Sequence, residues 1–350
     1  MGAQALRSQL QVMKVLGWRS VLQANRLKRL SEETIRGFYV TRALIALFNI
    51  GFFDELAGGR AVDLETFAAQ KRLDPRVLRL LCDYLFSLKI LRRDGENYGL
   101  DAKGSTLVQS LSGAFHVVYA YEDIFYHLES LLTQEKKYGV DITRRSEFVA
   151  KGSGAVGKLL AFQMVQDTLR RYKFERILDL GCGDGTFLID LCERNERVKG
   201  YGLDISPEAV AAGKRNLERK NVQDRVRLFV GDIFRIEALA GQLRGIQAAT
   251  SVYVLHEFLS DDNARILELL QGFRNSLPGV PLVICEVIRH TPEELRRKPG
   301  GVLEIQLFHG LSNQRLASRA EWQALFRQAG FTNIQEAYLD FVRTAIYVVS

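Results

Sequence analysis

From Arg176 to the C-terminus, short apolar runs alternate with segments whose apolar residues recur every three to four positions. This alternation constrains the fold more than any other feature. Strands separated by helices close into a mainly parallel sheet covered on both faces. The strands read as RILDLG, VKGYGLDI, RVRLFVGD, QAATSVYVL and PLVICEVI, with IQEAYLD and TAIYVVS near the end. Between them lie the helical segments GTFLIDLCERN, PEAVAAGKRNLERK, DDNARILELLQGFRNSL and SRAEWQALFRQAG. The expectation is a doubly wound, Rossmann-like α/β domain over residues 171–350, with ligands at the carboxyl ends of its strands.

Residues 1–170 have a different texture. FYVTRALIALFNIGFFDEL carries helical spacing, Asp63 opens a short helix in DLETFAAQ, and Asp74-Pro75 starts another through VLRLLCDYLFSLKIL. LRRDGENYGL reads as a hairpin turning at Asp94-Gly95. Helix, helix and hairpin predict a winged helix, followed by linking helices. Of the 350 residues 47% are hydrophobic and 25% charged, which fits two soluble domains and excludes a disordered chain. No apolar run is long enough for a membrane span, and Arg7 and Lys14 interrupt the N-terminus before any leader-like core. Cys82, Cys182, Cys192 and Cys285 lack metal spacing, so reduced, buried thiols in a cytoplasmic protein are expected. The net charge of +7, with no acid before Glu32, is too modest to indicate a nucleic-acid or membrane partner.

The segment RILDLGCGDGTF, residues 176–187, places Gly181, Gly183 and Gly185 directly after a strand, with Asp179 before them and Asp184 among them. A dinucleotide fingerprint would need its third glycine one residue later, where Thr186 stands. Two carboxylates would also repel a pyrophosphate at short range. S-adenosylmethionine carries an ammonium and a sulfonium, and suits bare backbone flanked by acids. Asp204, about 20 residues on at the end of the second strand, is placed to accept from ribose hydroxyls, with Ile205 beside it. Asp232 ends the third strand, where it can accept from an adenine amino group, and Ile233 and Phe234 offer apolar surface to the ring.

On these motifs the sequence resembles the class I S-adenosylmethionine-dependent methyltransferases. The order of a winged-helix domain, linking helices and an α/β domain resembles the small-molecule O-methyltransferases, antibiotic-pathway members included. The resemblance runs from about Phe38 to the C-terminus and implies a small-molecule acceptor, a role in secondary metabolism and a homodimer built on the N-terminal domain. A winged helix that binds DNA is the remote alternative: Arg72, Arg76 and Arg79 give its second helix positive charge, but Leu73, Leu78, Leu80 and Leu81 crowd it.

In VYVLHEFLSDD, His256 matches the family's general base, and Glu286 in LVICEVI matches that histidine's first acidic partner. The second partner is replaced, since the chain reads Ser312-Asn313-Gln314-Arg315 there. His309, in EIQLFHGLSNQRL, stands on another active-site segment. The pair His256 and His309 resembles the α-keto acid C-methyltransferases, an offshoot that binds a metal through two histidines. That resemblance implies one iron or zinc ion and methylation of the carbon beside a keto group, with O-methylation of a phenol or hydroxyl as the alternative. His116, His127 and His290 read as surface or linker residues, although His127 could face the pocket. The aromatic segment YAYEDIFYHLESLL reads equally as pocket roof or core, and Glu122, Asp123 and Glu129 would suit a cationic acceptor.

Overall fold

A computed structural model describes Gln11, Lys14, Val15 and residues 17–350; most of the N-terminal stretch read as lacking a leader lies outside them. The chain divides into two compact units between Leu111 and Ser112. The first begins with α1 (Trp18–Thr34), α2 (Arg36–Asn49) and α3 (Phe52–Glu55). Gly51, at φ +74°, makes the turn between α2 and α3 that other residues adopt only under strain. Then follow β1 (Val62–Asp63), α4 (Leu64–Lys71), α5 (Pro75–Ser87), β2 (Leu91–Asp94), β3 (Asn97–Leu100) and α6 (Ala102–Ser110). Both expected caps form: Asp63 accepts from Thr66 N, and Asp74 accepts from Arg76 N and Val77 N. The hairpin β2–β3 pairs Asp94 with Asn97, and the unforeseen β1 adds a third antiparallel strand. Helix α1 buries none of its residues within the chain, and Trp18, Leu22, Leu27 and Leu30 stand exposed along it.

The second unit opens with short helices α7 (Ser112–Ala120), α8 (Glu122–Tyr126) and α9 (Leu128–Leu132), then α10 (Ser146–Leu159) and α11 (Ala161–Arg171). The α/β core follows as β4 (Arg176–Leu180), α12 (Thr186–Arg194), β5 (Lys199–Asp204), α13 (Pro207–Arg219), β6 (Val226–Val230), β7 (Ala248–Val252), α14 (Ala264–Ser276) and β8 (Leu282–Val287). It ends with α15 (Pro292–Arg297), α16 (Val302–Leu311), α17 (Arg319–Gln328), β9 (Ile334–Leu339) and β10 (Thr344–Val349). The seven strands lie in the order β6-β5-β4-β7-β8-β10-β9, parallel from β6 to β8, with β10 antiparallel to both its neighbours.

Alternation along β4 builds both layers. Leu178 and Leu180 join the core that includes Leu269, Phe273, Trp322 and Phe326 of α14 and α17, while Ile177 joins that of Val165, Leu169 and Leu188. The chain moves outward from β4 through β5 to β6, then returns to β7 on the other side of β4. This reversal leaves a crevice at the carboxyl ends of β4 and β7, where a ligand can reach backbone from both.

Candidate active site

Asp179 shares the Ile177 face of β4 and lies in register with Thr250 on β7, whose hydroxyl donates to it at 2.7 Å. It is only 4% exposed, and burial pushes its carboxyl up to about 7; the Thr250 bond works against this and the nearby Asp204 charge adds to it. Beyond the strand the chain turns at Gly181 (φ +71°), where a Cβ would lie 2.7 Å from Val254. The N–H groups of Gly181 and Cys182 donate to Leu203 O at 2.8 and 3.2 Å, and Gly183 N donates to Asp204 Oδ2 at 2.8 Å. Gly183 (φ +53°) has nothing within 4 Å of the position a Cβ would take. Gly185, between the cavity-lining Asp184 and Thr186, is the left-handed entry residue of α12 and lies against Leu228.

A cavity of about 350 Å³ opens here, lined by Asp179, Gly181, Gly183, Asp204, Ile205, Asp232, Ile233 and Phe234. Asp204 is held by Gly183 N and Ser206 N, and Ile205 beside it is 70% exposed. Asp232 accepts from Phe234 N at 3.0 Å. The Phe234 ring stands edge-on to Phe258 and carries the Arg265 guanidinium 4.7 Å from its centre. Asp184 also lines this cavity; its Oδ1 accepts from Thr186 N and Oγ1 at the entry of α12, and its Oδ2 from Asn216 of α13.

A second, mainly apolar cavity of about 500 Å³ shares Val149, Ser153, Tyr253 and Glu257 with the first. His256 and His309 both line it. Glu286, fully buried on β8, accepts from Leu255 N at 2.8 Å and His256 N at 3.3 Å through one oxygen, and faces His256 Nδ1 at 2.7 Å with the other. His309 Nδ1 donates to Ile305 O at 2.8 Å, one turn earlier on α16. The two Nε2 atoms then lie 3.3 Å apart. Burial opposes protonation of His256, but the Glu286 charge and hydrogen bond, with Glu257, outweigh it and raise its pKa. Burial, and then the neighbouring His256, push His309 down to about 4.

Arg144, Glu257 and Tyr253 join the site without having been singled out in the sequence. Glu257 reaches within 3.9 Å of His256 Nε2; burial works against its ionisation, but a two-pronged pair with Arg144 at 2.7 and 3.0 Å outweighs that and holds it below the usual range. Gln314 donates to the same carboxylate, so the amide that replaces the family's second acid is turned to Glu257. Tyr253, at the end of β7, holds φ +57°, an outlier for an aromatic residue, and forms wall between the two cavities.

Residues 173–330 match the model of a methyltransferase domain, and residues 32–110 match that of an O-methyltransferase dimerisation domain. The chain is an S-adenosylmethionine-dependent methyltransferase. The methyltransferase is 26% identical over 304 residues to 2-ketoarginine methyltransferase of Streptomyces arginensis, covering 85% of this chain and 87% of that one. It is 24% identical over 324 residues to indolepyruvate C-methyltransferase of Streptomyces griseus, covering 89% and 92%. Human N-acetylserotonin methyltransferase, solved with S-adenosylmethionine, shares the fold at TM-score 0.68 and 19% identity, covering 92% of this chain and 97% of that one.

Elsewhere the methyltransferase departs from its sequence reading at His116, which is buried against Phe148 instead of lying on the surface. His127 lies by Lys136 Nζ and lines neither cavity, and His290 meets Tyr338 OH at 3.0 Å. The aromatic segment breaks into short helices, of which Tyr121 lines the second cavity while Phe125 and Tyr126 are exposed. All four cysteines are free and buried, and among the described residues no helix is long and apolar enough to cross a membrane.

Proposed function

We propose that this methyltransferase moves the methyl group of S-adenosylmethionine to the β-carbon of an α-keto acid, with an iron or zinc ion held by His256 and His309. The observation that carries this reading is the facing of the two imidazoles. A backbone carbonyl can only accept, so His309 keeps its proton on Nδ1, and His256 donates its own Nδ1–H to the Glu286 carboxylate. The raised pKa of His256 lets its Nε2–H donate to the neutral His309 across 3.3 Å; once that proton leaves, two lone pairs face the same point and can hold a cation in its place. Metal-ligating histidines are oriented by this kind of Nδ1 bond to a carboxylate or carbonyl. Among the described residues no group of three His, Cys, Asp or Glu converges, so two imidazoles would be the protein's contribution. A bound ion would supply Lewis acidity, which eases deprotonation of carbon beside a keto group. The two Streptomyces relatives support this reading, one by its name as a ketoarginine methyltransferase and the other as an indolepyruvate C-methyltransferase.

Around the first cavity, Asp179 would face the cofactor's ammonium, Asp204 its ribose hydroxyls and Asp232 its adenine, with Ile205, Ile233 and Phe234 against the ring. S-adenosylmethionine brings an activated methyl group, so the protein's task is near-attack positioning. Residues 171–350 carry this chemistry, and the linking helices before residue 170 bring Val149, Ser153 and Val156 to the acceptor cavity.

The Asp179 carboxyl makes binding pH-dependent. An ammonium favours the ionised form, so binding releases a proton wherever free Asp179 is protonated. With a pKa of about 7, affinity should be roughly tenfold weaker at pH 6 than at pH 8 and level off above that. Calorimetry across this range checks it, and Asp179→Asn should bind weakly without the slope; a wild type with no slope would remove the ammonium from Asp179.

O-methylation has its own supporting observation, the 2.7 Å His256–Glu286 pair, which suits a general base for a phenol. The test between them is a chelator, applied to the wild type with phenylpyruvate and with a phenol panel. Loss of keto acid turnover supports the metal-assisted reading, and phenol turnover that persists supports the alternative.

The exposed apolar residues of α1, with Phe38 and Tyr39 of α2, support a homodimer. Light scattering is expected to give twice the mass of one chain, and a fully active monomer would contradict this.

A further inference from the structure

Resting on the keto acid reading of the acceptor, we propose that the acceptor's side chain is bulky and apolar, aryl or branched alkyl, and carries no cation. The cavity that holds both histidines is walled by Val117 and Val118 of α7, Val156 of α10, and Ile305 and Phe308 of α16. Its volume of about 500 Å³ falls within the range of small-molecule sites and exceeds what a short-chain keto acid fills.

The charged groups at this wall are already committed or lie in water. Glu257 is taken by Arg144 and Gln314. Arg343 is taken by Asp340 at 2.7 Å and by Lys298 O at 3.1 Å. Glu304 lines the cavity but is exposed, where an ion pair contributes little. The acids that the sequence offers to a cation are elsewhere: Glu122 and Asp123 hold Arg145 at 3.3 and 2.7 Å, Glu129 is exposed, and none of the three lines the cavity. A guanidinium or ammonium entering here would lose water without meeting an uncommitted buried carboxylate, whereas an aryl or branched group gains from the same desolvation.

The experiment is calorimetric binding, with S-adenosylhomocysteine present, of two matched pairs: phenylpyruvate against 2-ketoarginine, and para-ethylphenol against tyramine. The apolar member of each pair is expected to bind at least about tenfold more tightly. Tighter binding of the cationic members, lost in Glu304→Gln, would overturn the proposal. Val118→Asp, at a half-exposed wall position, is expected to narrow or reverse both preferences; preferences untouched by it would overturn the assignment of this wall. Binding of the phenols without the keto acids would overturn the keto acid reading, while the phenol pair would still decide the side-chain preference.

Discussion

Gly183→Val is expected to leave a folded protein whose affinity for S-adenosylmethionine has fallen by at least about 100-fold. At φ +53° a β-branched residue costs on the order of 1–3 kcal/mol in backbone strain. The larger effect is steric. A Cβ at Gly183 meets no protein atom within 4 Å, so nothing in the fold stops the side chain from entering the cofactor cavity. The same position also donates its N–H to Asp204, so a shift of the loop to relieve strain would disturb the carboxylate assigned to the ribose. Gly183→Ala, with a smaller group, should fall between the two. Calorimetry gives the affinities and circular dichroism the fold; undiminished binding in a folded Gly183→Val protein would place the cofactor elsewhere.

His309→Ala is expected to abolish methylation of phenylpyruvate and to weaken binding of iron or zinc by at least about 100-fold, since losing a ligand costs no less than losing its hydrogen-bond partner. His256→Ala should do the same. The two variants part company on a phenol. If His256 is a general base paired with Glu286, its loss cripples phenol turnover, whereas His309, neutral and held to Ile305 O, can be removed at small cost. Phenylpyruvate turnover that survives in His309→Ala would remove the metal from the account and leave cofactor binding intact.

The layout of the sheet was legible because its inner strands, buried on both faces, read as continuous apolar runs such as LVICEV, with helical spacing between them. The caps at Asp63 and Asp74 were legible for a local reason, an acid directly before a helical run. Asp184 shows the limit of such reasoning: it lines the cavity and serves the entry of α12 as well, and the approach of Asn216, 32 residues away, has no local signature. Arg144 and Glu257 are 113 residues apart, so their pairing beside His256 has no local signature. The breaks at Tyr121 and His127 were hidden because aromatic residues cover that segment without a periodic polar face. His256 and His309 were each visible as candidates, but their 3.3 Å approach arises from how the turn after β7 meets α16.

The position of the transferred methyl group tests the central claim most directly. Phenylpyruvate and S-adenosylmethionine labelled with carbon-13 at the methyl group, incubated with the metal-loaded enzyme, give a product whose methyl resonance reports its neighbour. The account predicts a methyl bonded to carbon and coupled to the single β-proton. A methyl bonded to oxygen, or label found only on phenols offered in competition, would contradict it.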